Sequence, residues 1–255
     1  PSGAGASRAT HVVIVGSGYI GLEMAETFLK RGAQVTVVEA ADQPMRTLDP
    51  DMGALVADAL TGAGAELRLG ASVEGFEPGM VHTSAGSIRA DLVVLGIGVA
   101  PNTALAGAAG VPLGVKDAIR VTPRQQALVD GVWAAGDCCE SYHLVSREWV
   151  HIAFGTVANR QSRVAGINLG GGAASFPGVL GTAVTRICHT EIGRTGLTEG
   201  EAARAGLDAV AVTIEATNQA GYLPDAEVMK VKMVAERGSG RLLGAQIVGG
   251  DASAK

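Results

Sequence analysis

Short apolar runs alternate with amphipathic stretches through the first hundred residues. His11-Val-Val-Ile-Val15 is too short for a helix and rich in β-branched side chains, so it predicts a strand. It leads into Gly16-Ser-Gly18-Tyr-Ile-Gly21 and a helical stretch to Lys30, with Gly32 where a helix would end. Gln34–Val38 predicts a second strand, closed by Glu39. Strand, helix and strand in that order predict a parallel pair joined by a right-handed crossover. A further helix runs to about Gly62 from Asp49 or Asp51, either of which suits an N-cap, with Ala54, Leu55, Ala57, Ala59 and Leu60 as its apolar positions. Glu66–Leu69 predicts a strand. Residues 72–90 alternate and are broken at Pro78-Gly79 and Ala85-Gly86, which predicts a small antiparallel excursion. Leu92–Leu95 returns to the parallel sheet and ends at Gly96-Ile-Gly98-Val-Ala-Pro101-Asn102.

A second unit begins near residue 112. Ala118–Val121 and Val132–Ala135 predict strands, the latter running into Gly136-Asp137-Cys138-Cys139. Residues 151–169 are helical in pattern, and Gly170–Gly172 marks a boundary. Beyond it, Thr182–Ile187, Ala209–Glu215, Val228–Val234 and Leu242–Val248 predict strands around one helix at 199–204, an antiparallel α+β texture.

Composition narrows the function classes. At 255 residues, with about 150 per domain, two domains are expected. Hydrophobic residues at 47% and charged residues at 18% exclude disorder by composition. The net charge of −5, without a basic block, argues against nucleic acid as a partner. Residues 164–185 carry no charge, but six glycines, Pro177 and Asn168 break the stretch too often for a bilayer span. The opening Pro-Ser-Gly-Ala-Gly-Ala-Ser lacks an apolar core and reads as a linker or a cut, not a signal peptide. Cys138, Cys139 and Cys188 form no disulfide framework, which fits a reducing, cytoplasmic setting. Cys138, Cys139, His143 and His151 lack metal-ligand spacing, so no metal site is expected. Vicinal cysteines are a poor redox pair and read as buried bystanders.

The glycine-rich turn carries the most chemistry. Gly16 permits the sharp turn, Gly18 lets a pyrophosphate reach the backbone, and Gly21 allows close helix–strand packing; Ser17 and Ile20 complete the loop. Phosphates would lie at the helix N-terminus, where backbone N–H groups and the dipole favour negative charge. Glu39 stands 18 residues beyond Gly21, near the usual spacing of roughly 20, where a carboxylate accepts from the adenosine ribose and repels a 2′-phosphate. The loop is therefore read as an NADH site, with a ligand-free glycine turn as the bland alternative.

Gly16–Glu23 (Gly-Ser-Gly-Tyr-Ile-Gly-Leu-Glu) resembles the nicotinamide-binding motif of the two-dinucleotide flavoprotein disulfide reductases. Gly98-Val-Ala-Pro101-Asn102 is similar to the end of that family's NAD domain, and Val132-Trp-Ala-Ala-Gly136-Asp137 to its second FAD motif. Ala158-Asn159-Arg160, Phe176–Thr182, Thr195–Glu199 and Ala220–Pro224 resemble the branch of NADH oxidases and coenzyme A-disulfide reductases. The resemblance covers about residues 11 to 251. It implies an α/β fold of Rossmann-type parallel-sheet domains followed by an α+β antiparallel interface domain. The implied boundaries are a linker at 1–10, an NAD(H) domain at 11–112, the second half of an FAD domain at 113–170, and an interface domain at 171–255. Hydride would pass from NADH to FAD and on to a disulfide, persulfide, quinone or oxygen. Tyr19 would be an aromatic gate over the flavin, Glu23 the partner of a flavin-side lysine, and Asp137 the ligand of the ribityl chain. Ala153, at a helix starting near Ile152, would face the flavin pyrimidine. Tyr222 would reach the other subunit's active site in a homodimer, as a phenol able to donate to a thiolate. Simpler roles compete: Tyr19 on an exposed turn, Glu23 on a solvated face, Asp137 as a turn former, Tyr222 in a plain interface or core.

The family begins with an FAD segment carrying its own glycine motif and a redox cysteine, and this sequence contains neither. The chain is thus expected to be the middle of a longer protein, with the nucleophilic thiolate outside it. Two other function classes stay open. One is an isolated NAD(H)-binding module without catalysis; the other is a ferredoxin-reductase-type electron carrier.

Overall fold

The computed structural model describes residues 10–250, so most of the predicted linker lies outside the described residues. Those residues form two compact units, one of residues through Gly98 together with those from Ala183 on, the other of Val99–Thr182.

In the first unit, β1 (His11–Val15), α1 (Tyr19–Lys30), β2 (Gln34–Val38), α2 (Pro50–Gly62) and β3 (Glu66–Arg68) follow the predicted order. An antiparallel excursion of β4 (Val73–Glu77), β5 (Met80–Thr83) and β6 (Gly86–Arg89) precedes β7 (Leu92–Leu95). The parallel sheet runs β3-β2-β1-β7, with Ile14 opposite Val37 and Val94. Alternation on β1 sorts its two faces. Val12 and Ile14 join Leu22, Ala25 and Phe28 of α1 and Met52, Val56 and Leu60 of α2, while Val13 packs with Val81 and Ile88 of the excursion. Each such aliphatic side chain contributes about 1.5–3 kcal/mol on burial. Helix α1 stops where expected: Gly32 has φ +77, and the Ala33 N–H returns to the Phe28 carbonyl at 3.1 Å.

The unit Val99–Thr182 holds α3 (Ala104–Ala108), a two-residue pair β8 (Ser141–Tyr142) and β9 (Trp149–Val150), and α4 (Gly155–Leu169). The strands expected at 118–121 and 132–135 are not continuous. They reduce to isolated bridges such as Ile119 with Cys139 and Gln126 with Trp133, because left-handed residues at Lys116, Asp117 and Gln125 turn the chain too often to extend a ladder. Helix α4 starts at Gly155 and not near Ile152, since Phe154 is still extended at φ −121, ψ 135.

From Ala183, an antiparallel sheet forms from β10 (Ala183–Ile187), β11 (Thr190–Gly196), β12 (Ala209–Thr217), β13 (Val228–Glu236) and β14 (Leu242–Gly249), with α5 (Glu199–Arg204) after β11. Its order is β10-β11-β14-β13-β12. Strand β11 escaped sequence pattern because Glu191, Arg194 and two glycines break its alternation. Ile187, Ile192 and Val248 enter the same core as Ile14 and Leu22.

A charged cluster fastens this sheet to the parallel one. Lys232, 6% exposed, places its ammonium 2.5 Å from Glu199, 2.7 Å from Asp51 and 3.4 Å from Asp49. Gln246 pairs reciprocally with Asp49, donating to its carboxylate at 2.6 Å and accepting from its N–H at 2.7 Å. Asp49 does occupy the N-cap of α2, but its carboxylate serves Gln246 and the Glu199 N–H instead of its own helix. No described helix is long and apolar enough to cross a membrane.

Candidate functional site

The carboxyl ends of β1, β2 and β7 converge on the glycine loop, at the point where strand order switches direction. Gly16 has φ +97, and a Cβ there would lie 2.4 Å from the Gly96 carbonyl oxygen. A Cβ on Gly21 would lie 2.0 Å from the Gly16 oxygen. Both glycines are thus demanded by backbone approach. Gly18 differs: nothing lies within 4 Å of its Cβ position. It is the N-cap of α1 and has no side chain to cap that helix. The loop is jammed from behind and open in front, with a helix N-terminus behind the opening; an anion fits that cradle.

Glu39 closes one side. Its Oε2 accepts from the Ser17 N–H at 3.0 Å and the Ser17 hydroxyl at 2.7 Å, and its Oε1 accepts from the Ala41 N–H at 3.0 Å. Burial alone would raise its pKa, but the bonds from Ala41 and Ser17 and the Arg46 charge hold the carboxyl below the usual range. It is therefore ionised and aimed along the loop. Sequence spacing placed Glu39 here but gave no sign of its bond to buried Ser17, which a serine between the first two glycines could have suggested.

The remaining positions are distributed as follows. Ile20 is exposed beside the loop, and Gly98 is exposed at φ +94 past β7. Gly96, not Gly98, closes on the glycine turn, touching Gly21 Cα at a Cβ distance of 3.2 Å. Tyr19 is half-buried against the core, with its hydroxyl bonded to Thr47; burial outweighs that bond and raises the phenol's pKa. Glu23 is exposed on α1 and accepts from the Thr185 hydroxyl at 3.3 Å. Tyr222 is 88% exposed in the turn between β12 and β13, which removes the core reading of it.

The second turn lies within Val99–Thr182. Gly136 has φ +81 and packs on Ala158 of α4, and its N–H donates to the buried Gln161 at 2.8 Å. Gln161 donates in turn to the Ser141 hydroxyl at 2.9 Å. This leaves Asp137 exposed, its side chain without a hydrogen bond or ion pair among the described residues. The His151 ring bonds the Asp137 carbonyl at 2.7 Å. Ala153 is half-buried in the extended stretch before α4. Cys139 is buried; desolvation, then the neighbouring Cys138 and Glu140, pushes its thiol up to about 12, so it is no nucleophile. Sequence reading missed Gln161, a polar residue on the buried face of α4 with Val157, Ala165 and Asn168.

Residues 4–161 match the pyridine nucleotide-disulphide oxidoreductase family, and residues 182–254 match that family's dimerisation domain. A CoA-dependent NAD(P)H sulfur oxidoreductase of Pyrococcus furiosus is 38% identical over 250 residues, covering 96% of this chain and 56% of that protein. Among solved structures, an NAD-dependent persulfide reductase from A. fulgidus superposes with a TM-score of 0.93 at 35% identity, over 96% of this chain and 47% of its own. An engineered water-forming NADPH oxidase with NADPH bound, derived from the Lactobacillus brevis NADH oxidase, superposes at 0.91 with 27% identity, over 96% and 56%. The chain spans about half the length of the curated relatives it matches. It belongs to the pyridine nucleotide-disulphide oxidoreductase family.

Proposed function

We propose that this chain carries the NADH site and the subunit-pairing domain of a flavin-dependent oxidoreductase that reduces a disulfide, persulfide or oxygen. The observation that carries this reading is the glycine cradle: Gly18 open, Gly16 and Gly21 locked, and an ionised Glu39 held by Ser17. NADH supplies a hydride when bound and FAD accepts it; the residues here bind and orient. The Gly18 backbone and the α1 N-terminus receive the pyrophosphate, and Glu39 accepts from the ribose hydroxyls.

The exposed Asp137 is the ribityl ligand, presented by a turn that Gln161 holds rigid. The family resemblance assigns Ala153 to flavin contact; in the other unit it assigns Tyr19 to an aromatic gate and Glu23 to pairing with a cation. A homodimer is supported by an exposed apolar strip on one face of the antiparallel sheet, Val210, Val212, Ile214 and Met233, together with the match to the dimerisation domain. The exposed Tyr222 suits a role across that dimer. Sulfur and oxygen acceptors both fit this reading, since relatives named for sulfur and persulfide reduction and NADH oxidases all match across nearly the whole chain.

Calorimetric titration with NADH tests the reading. Binding is expected, and Glu39→Ala should weaken it by about tenfold, the worth of a charged hydrogen bond. Unaltered affinity in Glu39→Ala would remove the ribose role, and absence of binding by folded protein would overturn the site.

A further inference from the structure

We propose that Arg194, on the antiparallel sheet, is a positioning residue for the nucleotide site, acting on the glycine loop through the turn at residues 45–48. The inference rests on the NADH reading above and deepens it by naming what holds the loop from outside its own βαβ segment.

The turn closes with the Leu48 N–H donating to the Met45 carbonyl at 2.8 Å; Met45 is left-handed at φ +49, with its side chain buried in the core. It grips the glycine loop at two points. The Met45 N–H donates to the Ser17 carbonyl at 3.1 Å, and the Thr47 side chain bonds the hydroxyl of Tyr19, the first residue of α1. Ser17 is therefore held on both sides, by Glu39 at its N–H and by Met45 at its carbonyl. The two gripped residues flank Gly18, whose open side is the place assigned to the pyrophosphate.

The turn is held in its own right by the antiparallel sheet. Arg194 stands on β11 with its side chain only 9% exposed. Its Nη1 donates to the Thr47 carbonyl, 147 positions earlier in the chain. Its Nη2 donates to the Gly196 carbonyl at 2.7 Å and to Glu201 Oε2 at 2.6 Å. Glu201 is fixed as well, because it closes the capping box of α5 by accepting from the Thr198 N–H at 2.9 Å. Burial would raise its pKa, but Arg194 and the Thr198 N–H lower it, so it answers the guanidinium as a carboxylate. The guanidinium is thus anchored on the sheet side and extends one amino group to the loop.

Stability alone does not call for this arrangement. A buried ion pair between β11 and α5 is often no better than apolar packing of the same volume. Apolar packing cannot supply a directional bond to a backbone carbonyl, and Arg194 directs one amino group to Thr47. Without that bond the 45–48 turn loses a tether to the sheet, and both grips on the glycine loop loosen with it. The contacts assigned to Gly18 and Glu39 then lose preorganisation, which lowers affinity without removing any group that touches the nucleotide.

Fluorine NMR of the protein labelled with 3-fluorotyrosine, run beside calorimetric titration with NADH, tests this. The sequence has three tyrosines, and Tyr19→Phe identifies the Tyr19 signal. Arg194→Met should shift that signal, leave those of Tyr142 and Tyr222 in place, and weaken NADH binding by about fivefold. Should Arg194→Met not fold, Arg194→Lys carries the same test with the same expected changes. Its ammonium still faces Glu201 but lacks the planar fork that reaches Thr47, Gly196 and Glu201 together. A brace confined to β11 and α5 would lower the denaturation midpoint and leave NADH affinity and the Tyr19 signal unmoved. Either readout unchanged in a folded Arg194 variant overturns this inference alone. Failure of folded wild type to bind NADH overturns the underlying site, and this inference with it.

Discussion

Residues 10–98 and residues 99–182 each present a glycine turn followed by a helix, yet they stiffen it by different means. The Gly16 turn is confined by backbone: the Gly96 carbonyl blocks it on one side, α1 crosses it at Gly21, and a four-stranded sheet lies behind. The Gly136 turn has isolated bridges, a 2.8 Å bond to the Gln161 side chain, a contact with Ala158 and a 2.7 Å bond from the His151 ring to the Asp137 carbonyl. The first region closes its core on both faces of β1. Both leave large apolar side chains exposed, Ile20, Phe76, Leu95 and Ile97 in the first and Leu105, Leu128, Leu144 and Leu169 in the second. A phosphate cradle can be completed within one βαβ segment, because every group it needs is backbone or lies within thirty residues. The Asp137 turn presents a single carboxylate and is held by Gln161, Ala158 and His151, all within twenty-five residues of it.

The sharpest test of this contrast is Gly16→Val. It forces a β-branched residue to φ +97 and drives its Cβ into the Gly96 oxygen. Backbone cannot yield there as a flexible side chain would, so a loss of more than about 3 kcal/mol is expected, with nucleotide binding abolished. Chemical denaturation and NADH titration read both effects. A variant that retains wild-type stability would show that the turn is not backbone-locked.

Next in size is Lys232→Met. Three carboxylates converge on this ammonium, and removing it leaves the buried Asp49 carboxylate without its cation while Asp51 and Glu199 stay half-exposed, at a cost of about 3 kcal/mol. Two calorimetric transitions are expected, of which only that of the 10–98 and 183–250 unit moves; equal movement of both would show one cooperative body and dissolve the contrast. The pH dependence carries a sign. Burial would raise the Asp51 pKa, but the bond and charge of Lys232, with the Thr213 hydroxyl, lower it. A depressed carboxyl pKa stabilises above the usual aspartate value of about 3.9 and loses that contribution as pH falls through the folded value. Burial likewise opposes the charged Lys232, but its acidic partners outweigh this and raise its pKa, so its contribution is complete at neutral pH and lost only in strong alkali. The gap between wild type and variant should thus be constant near neutrality and narrow below about pH 4.

Legibility in the sequence follows the same division. The βαβ unit could be read because its signals are local: β-branched runs, glycines at fixed offsets, an acid at a strand's end. The Lys232 cluster could not, since Asp49 and Gln246 are 197 positions apart and nothing in either segment names the other. Strands 118–121 and 132–135 were misread because a few apolar residues suffice to fill an interior without a continuous ladder, and β11 was missed because charged residues interrupt a strand that is nonetheless paired on both sides. At the site, Glu39 was legible by spacing, whereas its engagement by Ser17 depends on a loop conformation that no residue pattern encodes.

The smallest expected effect probes the weaker region directly. Cys139 is sealed beneath the Gly136 turn, its thiol bonding the Gly136 carbonyl at 3.4 Å and the Gln161 side chain at 3.4 Å. With burial pushing its pKa up to about 12, the thiol stays protonated at pH 8 and is shielded from reagent. Cys188, raised less and only half-buried, should alkylate first. Mass spectrometry after timed iodoacetamide exposure should therefore show Cys188 modified well before Cys139. If Cys139 keeps pace, residues 99–182 open locally on the labelling timescale, and the Gln161 pin is too weak to hold Asp137 in place. If it stays protected, the Gln161 and His151 hydrogen bonds and the Ala158 contact suffice to hold rigid a turn that has no sheet behind it, and the two regions differ in how they are built but not in how firmly they present their acids.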